Sequence, residues 1–264
     1  NARPETSVPA DTFPDCLKAD ATSQVDASVR VGLGTVGTLV FGSGFASLAL
    51  QVAWFREFAL VFGGSTAASA AVLAIFMGGL GAGSALWGAR VDRQADPLRI
   101  YAHLALLVGL TGALSGYLID ASTSLYIHLG GQSTLGLGGA TLVRLVLAAA
   151  VLAVPTVLMG GTLPAAAKAA TRRADRQRRA AAMLYGRNTL GAVVGALTAT
   201  FFLLAVLGTR TTLWLGGGVY VVTALVAYRL ANVGGAASCA AGSLASRRCE
   251  DRCKPQPSSP KYVY

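Results

Sequence analysis

Apolar residues occur along this chain in long blocks set apart by short charged segments. Positions 31–55 carry no charged side chain, and neither does the stretch between Glu57 and Arg90, where a Gly63-Gly64-Ser65 turn leaves a block near 66–89. Further blocks cover 100–119, about 141–160 with Arg144 near one end, 188–208 and 211–228. Each approaches the roughly 20 residues an α-helix needs to cross the hydrocarbon of a bilayer. A transmembrane barrel would instead show segments of about ten residues with alternating polarity. The pattern predicts an all-α integral membrane protein, a bundle of six transmembrane helices. The first block is a true span and not a signal peptide, because it is long and 30 polar residues precede it.

Composition agrees with the pattern. Of 264 residues, 53% are hydrophobic and 13% charged, with a mean hydropathy of +0.55. A soluble domain carries about 25% charged residues, twice what this chain offers to water. Disorder is excluded by the apolar content, and collagen by glycines without a three-residue period. The net charge of +10 follows from where Lys and Arg fall. Arg90, Arg93 and Arg99 follow the second span, and Lys168, Arg172, Arg173, Arg176, Arg178, Arg179 and Arg187 follow the fourth, whereas the opposite side holds Arg56, Arg144 and Arg210. The positive-inside rule then places both termini in the cytoplasm, with the bilayer as partner and no nucleic acid needed to account for the charge.

The ends differ from the middle. Residues 1–30 contain three basic and five acidic side chains with Pro4, Pro9 and Pro14, and are expected to form a disordered cytoplasmic leader ahead of a membrane domain at 31–230. Residues 231–264 turn to Gly, Ala, Ser and Cys and then to basic, Pro-containing sequence, the expected composition of a disordered basic tail. The cysteines are Cys16, Cys239, Cys249 and Cys253; with no His nearby, the tail pair is expected to hold no metal. No cofactor is expected either.

Small residues stand out inside the spans. Gly79 with Gly83, and Gly191 with Gly195, form G-x-x-x-G pairs that predict close helix packing. Pro155 removes a backbone hydrogen bond and predicts a bend in the fourth helix.

Several segments carry a family resemblance. Gly88-Ala89-Arg90-Val91-Asp92-Arg93 resembles the G-x-x-x-D-R start of the signature between helices 2 and 3 of major-facilitator transporters, although Gln94-Ala95-Asp96-Pro97 replaces its remainder. Residues 44–57 (Gly44 to Glu57), 157–164 (Val157 to Pro164) and 184–192 (Leu184 to Ala192) resemble, in order, blocks of bacterial fused major-facilitator/spermidine-synthase proteins. The resemblance covers roughly 35–230. It implies half of a major-facilitator fold in a bacterial inner membrane, associated with polyamine synthesis, with Gly88, Asp92 and Arg93 at a cytoplasmic gate. A fused aminopropyltransferase domain would add about 200 residues. The tail, with Glu250 and Asp251 as its acids, carries no such domain, so the chain is expected not to perform that chemistry alone; truncation or a shifted reading frame would account for the tail.

Two functions fit. In the first, a transporter-like module handles spermidine or another solute along Gln51, Trp54, Glu57 and Asn188, as a homo-oligomer or with a second membrane half. In the second, a non-transporting anchor or assembly subunit holds a cytoplasmic enzyme domain at the membrane. Trp54 also fits an interfacial aromatic belt, with Arg56 snorkelling to phosphates. Arg144, about 9 Å inside its helix if that begins near 138, is expected to be partnered or to snorkel to the interface, and Asp120 or Glu57 could serve as the partner of a candidate intramembrane ion pair. His103 fits an interfacial position or a proton relay.

Overall fold

The computed structural model describes the backbone of residues 33–62, 66–94, 96–170 and 174–252, with side chains described except at 33, 61, 62, 66–68, 131–135, 137, 174–180 and 234–252. The elements are α1 (Leu33–Phe62), α2 (Thr66–Asp92), α3 (Pro97–His128), α4 (Gly131–Ala170), α5 (Ala174–Thr198), a π-helical continuation (Ala199–Leu207) and α6 (Gly208–Arg252). Pro97, whose missing N–H costs nothing at a first helical position, opens α3. The Gly63-Gly64-Ser65 turn, the leader, Arg172, Arg173 and Cys253 lie outside the described residues.

Among the described residues, five helical stretches are long and apolar enough to cross a membrane: Gly34–Leu60, Ser69–Asp92, Pro97–His128, Gly138–Ala170 and Ala181–Val233. The six apolar blocks become five because 188–208 and 211–228 share the last stretch, which is helical on both sides of Gly208. That stretch has 53 residues. A straight helix of this length would measure about 80 Å, far more than the roughly 30 Å of hydrocarbon in a bilayer.

Contacts show how the length is accommodated. Gly191 lies against Phe41 and Gly195 against Phe45, and Arg56 reaches Leu204, so residue numbers rise together and α5 runs parallel to α1. Gly42 lies against Thr223, Ser47 bonds Tyr220, and Leu50 lies against Gly216, so α6 runs antiparallel to α1. The chain reverses at Gly208, whose φ of 77° and ψ of 174° are open to glycine and costly for other residues. The same reasoning makes α2 parallel to α4 through Gly79–Thr156, Gly83–Gly160 and Val91–Lys168. It makes α3 parallel to α1 through Tyr101–Leu39 and Trp54–Ser115, and antiparallel to α6 through Asp120–Arg210 and Gly109–Gly217. Thus α1, α3 and α5 begin at one end, here proximal, and α2, α4 and α6 begin at the distal end.

Among α1 to α5, the most extensive pairings are α2 with α4 and α1 with α5. One device builds both. A Cβ on Gly83 would overlap the Val157 carbonyl oxygen, and a Cβ on Gly195 would overlap that of Phe45. Gly83 and Gly195, and likewise Phe45 and Val157, are separated by the same number of residues along the chain, so the two crossings repeat. In lipid no hydrophobic force draws helices together, so backbone approach of this kind supplies the contact.

α4 leaves helical dihedrals at Gly136 (φ 66°, ψ 177°) and stays helical through Pro155 and Pro164. The bend predicted at Pro155 is therefore no break in the helix; Thr156 donates to the Leu152 carbonyl at 2.7 Å beside it. The compact bundle is Val31–Ala231. In the other unit, the backbone described over 232–252 is helical, where the composition predicted an irregular tail from 231; the alanines at 236, 237, 240, 241 and 245 favour helix.

Trp54, Tyr101, Tyr220, Phe58 and Phe76 are the largest buried side chains, whereas Leu60, Phe202 and Val206 are 73%, 68% and 76% exposed. Apolar side chains are exposed along every helix, a surface that water does not tolerate and lipid does. The chain is a multi-pass helical membrane protein.

Candidate functional site

Of the four residues expected along a solute path, Gln51, Trp54 and Glu57 share α1, and Asn188 of α5 lies apart from them. Trp54, on α1, is 1% exposed, and its indole Nε1 donates to Ser115 Oγ on α3 at 2.7 Å. Ser115 in turn donates to the Gly112 carbonyl at 2.6 Å. Trp54 is thus neither in an interfacial belt nor open to a solute; it joins α1 to α3. Gln51 and Glu57 are half-buried on α1. Asn188 lies beside Gly44, whose Cβ would overlap the Asn188 carbonyl oxygen. Gly44 is ten residues before Trp54, so Asn188 sits about 15 Å along the bundle from the indole.

At the proximal end, Asp92 and Arg93 are exposed and Gly88 is half-buried with nothing near its Cα face. The residue that organises this end is Lys168 of α4. Its Nζ donates to the Val91 carbonyl at 2.8 Å and lies 3.7 Å from Asp92 Oδ1. The Val91 carbonyl also accepts from the Gln94 N–H at 3.2 Å, so Lys168 adds a second, charged donor at the α2 C-terminus and complements the helix dipole there. The Asp92 side chain is 79% exposed, so the carbonyl bond matters more than the ion pair. In sequence Lys168 registers only as one positive charge among ten.

Two arginines crosslink α1 and α5 in the same manner. Arg187 Nη1 donates to the Gly34 carbonyl at 2.9 Å and passes over Gly37, where a Cβ would collide with it. Arg56 Nη1 donates to the Leu204 carbonyl at 3.1 Å within the π-helical segment. Widening the turn from α to π shifts carbonyls out of the regular ladder, and Arg56 satisfies one of them. Its guanidinium binds a helix, where the sequence suggested lipid phosphate.

The expected Arg144–Asp120 ion pair is not formed. Asp120 pairs with Arg210 at the start of α6, which also lies 5.7 Å from the Tyr117 ring. The antiparallel run of α3 and α6 puts Asp120 and Arg210 level. Arg144 of α4 lies instead over Tyr126 of α3, with Cζ 4.5 Å from the ring centroid. His103 Nδ1 is 2.7 Å from the Arg99 carbonyl, and its ring meets Tyr228 edge-on.

The sequence reading missed one cluster altogether. Ser43, Ser47, Tyr101, Tyr220 and Thr223 bring five hydroxyls together among α1, α3 and α6. Tyr101 donates to the Leu39 carbonyl at 3.0 Å, Ser47 bonds Tyr220, and Ser47 also donates to the Ser43 carbonyl at 2.8 Å. Each hydroxyl is satisfied, so the cluster acts as polar adhesive between helices. The spacing of Ser43 with Ser47, and of Tyr220 with Thr223, one helical turn each, was the available signal. Compared with protein-family models, curated proteins and solved structures, the chain finds no match to any of them.

Proposed function

We propose that the chain is a six-crossing, transporter-like half of a major-facilitator-type carrier, associated with polyamine (spermidine) synthesis or transport, which works as a homo-oligomer or with a second membrane half. The observation that carries this reading is the repeated crossing: α2 on α4 and α1 on α5 use the same glycine device in parallel pairs, with α3 and α6 beside them. Internal repetition of this kind is how many carriers are built. The polyamine assignment rests on the resemblance of residues 44–57, 157–164 and 184–192.

In this reading the proximal end is cytoplasmic, since the basic segments after α2 and α4 lie there, and the membrane is a bacterial inner membrane. Lys168 fastens α2 to α4 beside Asp92 and Arg93, at the gate. Cysteines introduced at 95 and 175, in a background with the four native cysteines replaced by serine, should resist a membrane-impermeant reagent in intact cells, while one at 130 reacts. The opposite pattern would overturn the orientation.

The anchor reading draws on one specific observation, the engagement of Trp54 with Ser115. It leaves Glu57 as the acid of the proposed path, whereas a polyamine needs several carboxylates or aromatic faces. Spermidine uptake into liposomes holding the purified chain separates the two. The transport reading expects uptake above empty liposomes that falls at least about threefold in Glu57→Gln, a change of under one kcal/mol in binding. Well-folded protein without uptake or spermidine binding leaves the anchor. In that case, replacing the arginines at 172–179 should release a cytoplasmic partner.

A further inference from the structure

Among the described residues, two buried side-chain polar atoms have no hydrogen-bond partner, Tyr126 Oη and Arg144 Nε, and they belong to neighbours in contact. Tyr126, on α3, is 8% exposed; Arg144, on α4, is half-buried with its guanidinium over the Tyr126 ring. Of the other charges of the distal end, Asp120 holds Arg210, Arg56 holds the Leu204 carbonyl, and Glu57 makes no ion pair with Arg144. Arg144 makes no hydrogen bond or ion pair with any described residue.

A guanidinium cannot shed its proton, and inside a membrane-spanning helix it requires a counter-charge. The aromatic face beneath it supplies part of the stabilisation, but offers no acceptor to its N–H groups. The group that would satisfy both is therefore an anion with more than one acceptor oxygen. A planar fork of N–H donors matches phosphate oxygens two at a time, and the Tyr126 hydroxyl adds a donor from the opposite helix. Arg144 lies six residues after Gly138, where the apolar part of α4 begins, so it sits about 9 Å from that boundary and its long side chain reaches the phosphate layer.

We propose that Arg144 and Tyr126 form a binding site for a phosphate-ester oxyanion between α3 and α4 at the distal end. A lipid head group and a soluble phosphate present the same chemistry to it. The site is separate from the proposed solute path and does not depend on it.

The test is native mass spectrometry of the delipidated full chain in detergent, titrated with dihexanoyl-phosphatidylglycerol. Wild type is expected to retain one lipid about tenfold more tightly than Arg144→Gln and about threefold more tightly than Tyr126→Phe, which keeps the ring and removes only the hydroxyl. Arg229→Gln, an exposed arginine at the proximal end, should bind as wild type. If Arg144→Gln does not fold, Arg144→Lys takes its place, since it keeps the charge and loses the fork, and it should bind more weakly than wild type. Displacement of the lipid by millimolar inorganic phosphate identifies a soluble ligand, and failure to displace it identifies the head group; both support the site. Equal retention by wild type, Tyr126→Phe and the Arg144 variant, or no retention by wild type of either probe, would overturn it.

Discussion

Replacing Gly195 by leucine is expected to destroy the folded bundle, and Gly83→Leu should do the same from the other side. A Cβ at either position overlaps a backbone carbonyl oxygen, that of Phe45 or of Val157. A clash with a flexible side chain is relieved by rotation, and overpacking of that kind costs about 1–3 kcal/mol. Here both partners are backbone, so relief requires moving a whole helix and giving up the α1–α5 or α2–α4 pairing. These are the most extensive pairings among α1 to α5. The loss is expected at or above the top of that range, a large part of a typical stability of about 5–15 kcal/mol. Gly78→Leu and Gly186→Leu are the controls, because nothing lies within 4 Å of a Cβ at either position. They should melt within a few degrees of wild type in detergent, while Gly195→Leu and Gly83→Leu elute as aggregate or melt far lower. Wild-type melting of Gly195→Leu would mean that this face of α5 meets lipid and that the crossing is wrong.

Those glycines were legible in the sequence because their spacing is local. G-x-x-x-G on an apolar helix states that something approaches closely, and both pairs that stood out do so. Which helix approaches was not legible, since Phe41 and Phe45 look like any lipid-facing phenylalanine until α5 is laid on α1. The positions of the apolar blocks were legible for the same reason, and the fusion of the last two into one helical stretch was not. Leu207-Gly208-Thr209 contains neither proline nor a charge, and the reversal is made at Gly208 through its positive φ.

The charged residues were harder to place, because an ion pair in a bundle is a statement about two helices. Arg144 and Asp120 stood out as the charge deepest in a span and an acid at the same end, and pairing them was the economical choice. The register of α3 against α6 gives Asp120 to Arg210 instead. Lys168, Arg187 and Arg56 read as markers of orientation or lipid contact, whereas each carries a backbone carbonyl of another helix. Nothing in the sequence says which carbonyl a cation of another helix will meet, at a helix end as for Val91 or in a π-turn as for Leu204. The solute path suffered from the opposite problem. Gln51, Trp54 and Glu57 recur every third residue and suggest one face, yet an indole in lipid-like surroundings also needs an acceptor, and Ser115 supplies it.

Trp54→Ala should accordingly act on stability before it acts on any solute. The side chain is fully enclosed, so its removal leaves a cavity, and losses of this kind run to about 3–5 kcal/mol. Trp54→Phe refills most of the space but withdraws the donor from Ser115 Oγ, which should cost about 1–2 kcal/mol for a buried bond. The Ser115 hydroxyl still donates to the Gly112 carbonyl, so Ser115→Ala frees that carbonyl as well and is expected to cost a similar amount. If indole and hydroxyl act on one another, Trp54→Phe with Ser115→Ala should destabilise by about 1 kcal/mol less than the sum of the single changes. Melting of the four proteins in detergent measures this coupling, and spermidine uptake by Trp54→Phe in liposomes measures the competing role. A destabilised Trp54→Phe that takes up spermidine at the wild-type rate places the tryptophan in the frame of the bundle. A Trp54→Phe of unchanged melting temperature and reduced uptake would return it to the solute path and require α1 and α3 to separate there during transport.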